Sequence, residues 1–168
     1  DCYQGQWIGL PETLDNIRVA DPLPAPMLRK SFVLPSGIGR GRVYVSGLGY
    51  YMLFVNGKRA GDAILTPGVS QYDKTVYYDT IDITDLLQEG ENGWYTIYTN
   101  DPWHYREASW RHRPKLWMET HITLKNGEDI CVVSDTSWKC AQGPIITDGL
   151  RHGELFDARK MRDGWAEP

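Results

Sequence analysis

The chain has 168 residues, 41% hydrophobic and 24% charged, a balance that fits one folded domain and excludes wholesale disorder. Its formal charge of -4 is spread along the sequence, and no Lys/Arg run forms a phosphate-tracking stripe, so nucleic acid is not an expected partner. No apolar run is long enough to cross a bilayer and no signal-peptide pattern opens the chain, so a membrane partner is not expected either.

Residues 1–26 read as an extended leading segment. The stretch "WIGLPETLDNIRVADPLPAP", Trp7 to Pro26, is rich in proline and turn formers and lacks sustained periodicity. Residues 27–168 read as one β-sandwich domain. "MLRKSFVL" is the first predicted strand; after the turn "PSGIGRG", the run "RVYVSGLGYYMLFV" breaks at Ser46-Gly47 and restarts. Asn56-Gly57 then sits between apolar runs, where both central residues of a type I′ turn need positive φ, and it predicts a two-residue hairpin. That hairpin puts Tyr51, Leu53, Val55 and Ala60 on a core face. Tyr50, Met52, Phe54 and Arg59 fall on the other face, which is too apolar for open solvent and predicts a docking surface.

Further along, Pro67-Gly68 predicts another turn and "KTVYYDTIDI" a strand. "DITDLLQEGEN" allows one or two helical turns, with Thr84 or Asp82 as the cap and Gly90 as the stop. Asp79, Asp82 and Asp85 take turn and cap roles there. "WYTIYTN" is a strand, and "LWMETHITLKNGEDICVVSDTSWKCA" gives two more around Asn126-Gly127, a second type I′ candidate. His121 reads as an outward or hydrogen-bonded structural histidine within it. Many short strands, regular turns and almost no helical periodicity define an all-β class: an antiparallel β-sandwich of jelly-roll or galactose-binding-like type.

Cys2, Cys131 and Cys140 have neither CxxC spacing nor a zinc-finger histidine, which argues against a thiolate metal site. Cys131 and Cys140 are expected as two buried or half-buried free thiols, with pairing across a hairpin as the alternative.

"TNDPWHYREASWRHRPKLW", Thr99 to Trp117, is the richest functional stretch. Sugars offer an apolar C–H face to indoles and hydroxyls to polar groups, and this loop supplies both kinds of partner. The candidate carbohydrate set is Asp73, Asn100, Asp101, Trp103, His104, Tyr105 and Trp110. The competing reading, given more weight, has Trp103 and Trp117 plugging the end of the sandwich and the arginines solvated or docked. His104 and His112 with Asp101 lack a third ligand at a recognisable spacing, so no metal is assigned. Glu154, Asp157 and Arg159 read as an ion pair closing the sandwich rather than as a contact for sugar or another domain. No nucleophile elbow, P-loop or dinucleotide fingerprint occurs.

In order, GLGYY, FVNGKRAGD, LTPG, YD, DITDLL, GEN, GPI, GELFDAR and the closing GWAEP resemble the N-terminal β-sandwich domain of bacterial α-L-rhamnosidases, from about Trp7 to the last residue. The resemblance implies a multi-domain inverting glycoside hydrolase whose paired acids sit on an (α/α) barrel. That barrel is no part of this chain, so no catalytic residue is assigned and the chain alone is expected to be non-catalytic. The expected role is mainly architectural, with the catalytic domain of the same enzyme as partner. The alternative is a binding module for rhamnose or rhamnosyl glycans. The resemblance also favours a periplasmic or extracellular setting, and it offers Asp73 and Asn100 as calcium ligands. Lys74 stands where a neutral oxygen donor is wanted, so no calcium or other cofactor is expected.

Overall fold

The computed structural model describes residues 3–11, 24–99, 114–149, 153–165 and 167–168. Among them eleven strands run in chain order: β1 Pro26–Leu34, β2 Ile38–Gly47, β3 Tyr50–Val55, β4 Lys58–Arg59, β5 Asp79–Asp82, β6 Gly90–Thr99, β7 Leu116–Leu124, β8 Asp129–Val133, β9 Lys139–Gln142, β10 Ile145–Thr147 and β11 Leu155–Phe156. They form an antiparallel five-stranded sheet ordered β4-β3-β6-β1-β9, a four-stranded sheet ordered β5-β2-β7-β8, and a two-stranded β10-β11 ribbon.

The two larger sheets share one core. Leu28, Leu53, Val55 and Trp94 from the first meet Val43, Val45, Met118 and Val132 from the second. Their burial supplies most of the favourable free energy of the fold, because each large apolar side chain withdrawn from water contributes about 1.5–3 kcal/mol before entropy is subtracted. Strand β3 shows how the sequence sets this up. Tyr51, Leu53 and Val55 are buried, as is Ala60 just beyond β4, while Tyr50, Met52 and Phe54 are half-buried and Arg59 is exposed.

The β3–β4 turn has Asn56 at φ 50° and Gly57 at φ 76°, both in the left-handed region as the type I′ geometry demands. The Asn126-Gly127 turn differs. Only Gly127 has positive φ (87°), while Leu124 N–H donates to Glu128 O at 2.8 Å and Gly127 N–H to Leu124 O at 2.9 Å. This is a three-residue loop of type I plus a left-handed glycine, so the dipeptide signal located the turn but not its type.

Three other expectations need correction. The strand expected over "KTVYYDTIDI" forms only at Asp79–Asp82. Upstream, the ladder to β2 ends at Val45↔Asp79, and Ser46 Oγ donates to Tyr77 O at 2.7 Å in its place. The helical segment is a single 3₁₀ turn, Thr84–Leu86, whose cap residue is Ile83. Asp82 Oδ1 accepts from Thr84 N at 3.0 Å and Thr84 Oγ1 at 2.7 Å, so Asp82 does the capping chemistry from one position further out. Cys131 and Cys140 are free, but both are exposed and lie on strands of different sheets, which rules out a shared hairpin.

Acid-sensitive pairs fasten the surface. Partial burial opposes ionisation of Asp135, but hydrogen bonds from Ser137 and from Lys30 Nζ at 3.0 Å outweigh it, and the carboxyl is held below its ordinary range. A carboxyl depressed in the folded state adds stability above its unfolded pKa, near 4, and loses it as pH falls through the folded value. Lys30→Met is therefore expected to lower the melting temperature at pH 7. The gap to the parent should narrow steadily below about pH 4 in a calorimetric pH series.

Candidate functional site

The alternation of β7 decides which side chains leave the core. Leu116, Met118, Thr120 and Ile122 point in, and Trp117, Glu119 and His121 point out. Register places Ser46, Tyr44 and Arg42 of β2 beside those three, respectively. The outer face of the four-stranded sheet thus carries a row of rings. Tyr44 lies 5.5 Å from His121 and 6.1 Å from Tyr78, and Tyr78 lies 6.4 Å from Trp117.

The leading segment Tyr3–Ile8 straps across this face. Ile8 exchanges backbone hydrogen bonds with Leu116 at 2.8 and 2.9 Å, Gln6 N donates to Ser134 O at 2.7 Å, and Ser134 Oγ donates to Gln6 O at 2.7 Å. Trp117 Nε1 donates to Gly5 O at 3.1 Å. Beneath the strap Glu119, only 3% exposed, accepts from the backbone N–H of Gln4 and of Gly5, the latter at 2.6 Å. Its other oxygen faces His121 Nε2 at 3.4 Å. The carboxylate's reach is also felt by the Cys131 thiol, which burial and then the Glu119 charge push upward. Gly5 is required where it stands, since a Cβ there would lie 2.7 Å from Trp117 Nε1 and 2.9 Å from Met118 O.

The strap turns a flat ring surface into a groove of about 350 Å³, lined by Tyr3, Gly5, Trp7, Ser46, Val76, Tyr78 and Trp117. Tyr3 packs edge-on against Trp117 at 5.2 Å. Its phenol is held above the ordinary value, chiefly by its hydrogen bond with the Tyr78 side chain. None of these groove residues except Trp117 stood out in the sequence, and Trp117 was expected to plug the end of the sandwich rather than lie on its outer face. The usable signal was the outward W-E-H alternation in "LWMETHITL".

A second cavity of about 310 Å³ opens between the β3–β4 hairpin and β5. In its wall Asp79 Oδ2 accepts from the Tyr51 hydroxyl at 2.6 Å and from Thr66 Oγ1. Asp79 thus ties the two sheet edges together instead of serving a turn. Burial, and next the bond to Asp79, push the Tyr51 phenol well above its ordinary pKa.

Of the sequence candidates, Asp73 lies exposed in a turn spanning residues 72–74. Asn100, Asp101, Trp103, His104, Tyr105 and Trp110 lie outside the described residues, as does His112. Among the described residues no group of three or more His, Cys, Asp or Glu side chains could hold a metal ion. His121 is exposed on the sheet surface and faces Glu119. Asp157 pairs with Arg159 at 2.8 Å and caps the short 3₁₀ turn Ala158–Lys160, so this ion pair fastens its own turn instead of closing the sandwich.

On the opposite sheet the docking candidates meet the end of the described chain. Phe54 lies 5.4 Å from Tyr95, and Tyr95 lies 6.5 Å from Trp165. Burial pushes the Tyr95 phenol up to about 12. Arg29 and Arg162 each stand 5.7 Å over the Trp165 ring, and Arg29 Nη2 donates to Glu167 O at 3.0 Å. Arg59 Nη2 donates to Ala63 O at 2.7 Å.

Fold and surface together define an antiparallel β-sandwich with a ring-bearing outer face on each of its two larger sheets. Residues 36–168 match the α-L-rhamnosidase N-terminal domain family, and the chain belongs to it. An α-L-rhamnosidase of Streptomyces avermitilis is 35% identical over 155 residues, covering 86% of this chain and 15% of its own length. The solved α-L-rhamnosidase from Dictyoglumus thermophilum superposes with a TM-score of 0.81 at 39% identity, over 86% of this chain and 16% of that one. The Streptomyces avermitilis structure complexed with L-rhamnose gives 0.81 at 31%, over 88% of this chain and 15% of that one. The chain therefore spans less than a fifth of the length of these relatives, in which the domain is one part of a larger rhamnosidase polypeptide.

Proposed function

We propose that this chain is the accessory β-sandwich of an α-L-rhamnosidase. It packs against the catalytic domain of the same polypeptide and shapes the approach of the rhamnoside, while hydrolysis takes place elsewhere. The observation that supports this reading is the match of most of this chain to a small share of enzymes named α-L-rhamnosidase. Inverting hydrolysis needs two carboxyl groups set about 6.5–9.5 Å apart across a bound sugar. Several carboxylates among the described residues are committed to other work, among them Glu119 to the strap, Asp79 to Tyr51, Asp82 to Thr84, Asp135 to Lys30 and Asp157 to Arg159.

The docking surface in this reading is Tyr50, Met52, Phe54 and Arg59. The chain alone is expected to release no nitrophenolate from 4-nitrophenyl α-L-rhamnoside, and turnover that survives repurification would overturn the assignment. In the longer polypeptide that carries this chain, Met52→Glu is expected to lower the melting temperature by several degrees, roughly what loss of 1–2 kcal/mol at an apolar contact produces. It should leave the isolated chain within a degree or so of the parent, because Met52 is only half-buried in it.

A further inference from the structure

The connection from β4 to β5 is explained neither by the core of the sandwich nor by the hairpin face. Between Arg59 and Asp79 the chain runs through nineteen residues, 60–78, without helix or strand. Loops longer than about 12–15 residues with no secondary structure are uncommon in compact domains, and an ordered one is usually functional. This loop is fastened along its length. Arg59 Nη2 donates to Ala63 O at 2.7 Å, Tyr51 N to Thr66 O at 3.0 Å and Ser46 Oγ to Tyr77 O at 2.7 Å, while Thr66 Oγ1 donates to Asp79. What it presents to solvent is apolar. Ile64, Leu65, Val69 and Tyr77 are 77%, 52%, 49% and 54% exposed, and no charged residue occurs from Ala63 to Tyr72. Leu65 also stands at φ 57°, a left-handed conformation that glycine takes freely and a bulky side chain does not. Such strain persists where the surroundings over-determine it, and here Thr66, one residue on, is held through both its carbonyl and its hydroxyl.

We propose that this loop, through Ile64, Leu65, Val69 and Tyr77, is a preformed docking platform for an apolar surface elsewhere on the same rhamnosidase polypeptide. The proposal rests on the accessory-domain reading above and adds to it a second point of contact. An uncharged apolar segment bounded by charged residues, here Asp62 before it and Asp73 and Lys74 after it, has the make-up of an interface core with a polar rim. The loop is continuous with the hairpin docking face: Met52, Arg59, Ala63 and Thr66 line one cavity, and Arg59 bonds to the loop directly. One partner surface therefore reaches both. Tethering favours the same polypeptide over a second copy. More than four-fifths of the length of the relatives lies outside the part that this chain covers, and tethered surfaces meet at effective concentrations up to about millimolar without needing a second molecule.

The test compares hydroxyl-radical labelling of this chain alone with labelling of the same residues in the longer polypeptide that carries it. Ile64, Leu65, Val69 and Tyr77 should be labelled about fivefold less in the longer polypeptide, because an interface core packs as densely as a protein interior. Equal labelling in the two overturns the proposal. Leu65→Gly separates docking from folding: glycine takes φ 57° freely, so this chain alone should melt within about a degree of the parent. The first unfolding transition of the longer polypeptide should instead fall by several degrees. No change in either protein overturns the proposal, as does an equal fall in both, since Leu65 then serves only the fold of this domain. Sedimentation equilibrium covers the rival occupant: if this chain pairs with itself and Ile64→Glu abolishes the pairing, a second copy takes the platform and the proposal fails. Should the loop stay labelled while Met52 and Phe54 are protected, the platform fails and the accessory-domain reading stands; if neither surface is protected, both fail.

Discussion

Asn92→Ala is expected to lower the unfolding free energy by about 3 kcal/mol, a large loss for a single polar side chain. Asn92 is fully buried, and its amide makes four hydrogen bonds. Oδ1 accepts from Gln88 N and Asn56 Nδ2, each at 2.9 Å, and Nδ2 donates to Gln88 O at 2.7 Å and Gly90 O at 3.0 Å. That saturates a carboxamide, which has two acceptor and two donor sites. Asn56 continues the network: Nδ2 also donates to Leu86 O at 2.9 Å, and Oδ1 accepts from Gly93 N at 2.8 Å. One amide pair thus ties the β3–β4 turn, the connection after the 3₁₀ turn and the start of β6 together. Truncation removes the shared partner of four part-buried donors and acceptors from a fully buried position, which is the costly way to lose a hydrogen bond. Urea unfolding should show a lower midpoint at unchanged slope. Asn92→Asp should be at least as damaging, since a carboxylate cannot donate to the Gln88 and Gly90 carbonyls. A double-mutant cycle with Asn56→Ala should show coupling of about 1 kcal/mol or more. A midpoint for Asn92→Ala within about 0.5 kcal/mol of the parent would show that water reaches the network after all.

This network explains why some of the fold was legible in the sequence and some was not. The strand alternation of Tyr51, Leu53 and Val55 is local, and so is the demand for positive φ at Asn56 and Gly57; both can be read from a window of ten residues. The second duty of Asn56, holding Asn92, is a tertiary contact that no local pattern announces. The same limit applies at Asn126-Gly127, where a third loop residue, fixed by the pairing of Leu124 with Glu128, changed the turn type. The groove was harder still. It draws on Tyr3, Tyr78 and Trp117 from three distant stretches, joined by a strap that makes one isolated bridge to β7, one further backbone bond to Ser134 and otherwise side-chain bonds. Tyr78 was expected inside a strand, yet it lies before β5 begins, where its ring is free to turn toward Trp117.

Glu119→Ala is expected to release the strap while leaving the sandwich folded. Two backbone N–H groups share this carboxylate, and hydrogen bonds to a charged acceptor contribute about 1.5–3 kcal/mol each in a buried setting. The net loss should be smaller than their sum, because Gln4 and Gly5 regain water once the strap lifts, and freeing its backbone recovers about 1 kcal/mol or more per residue. About 2 kcal/mol of strap closure is therefore at stake, equivalent to roughly thirtyfold faster hydrogen exchange at the amides of Gln6 and Ile8, with β2 and β6 amides little changed. Glu119→Gln separates shape from charge: its carbonyl oxygen still accepts both N–H groups, so exchange should fall between alanine and the parent. If alanine leaves Gln6 and Ile8 protected at the parent level, the strap is held by Ser134, Leu116 and Trp117 without it, and the buried carboxylate has no role in closing it. If protection falls as expected, Tyr3 and Trp7 leave with the strap and Trp117 loses its cover. The groove then depends on one buried acid lying beneath it, and the shape of an exposed surface is set by a side chain that solvent scarcely reaches.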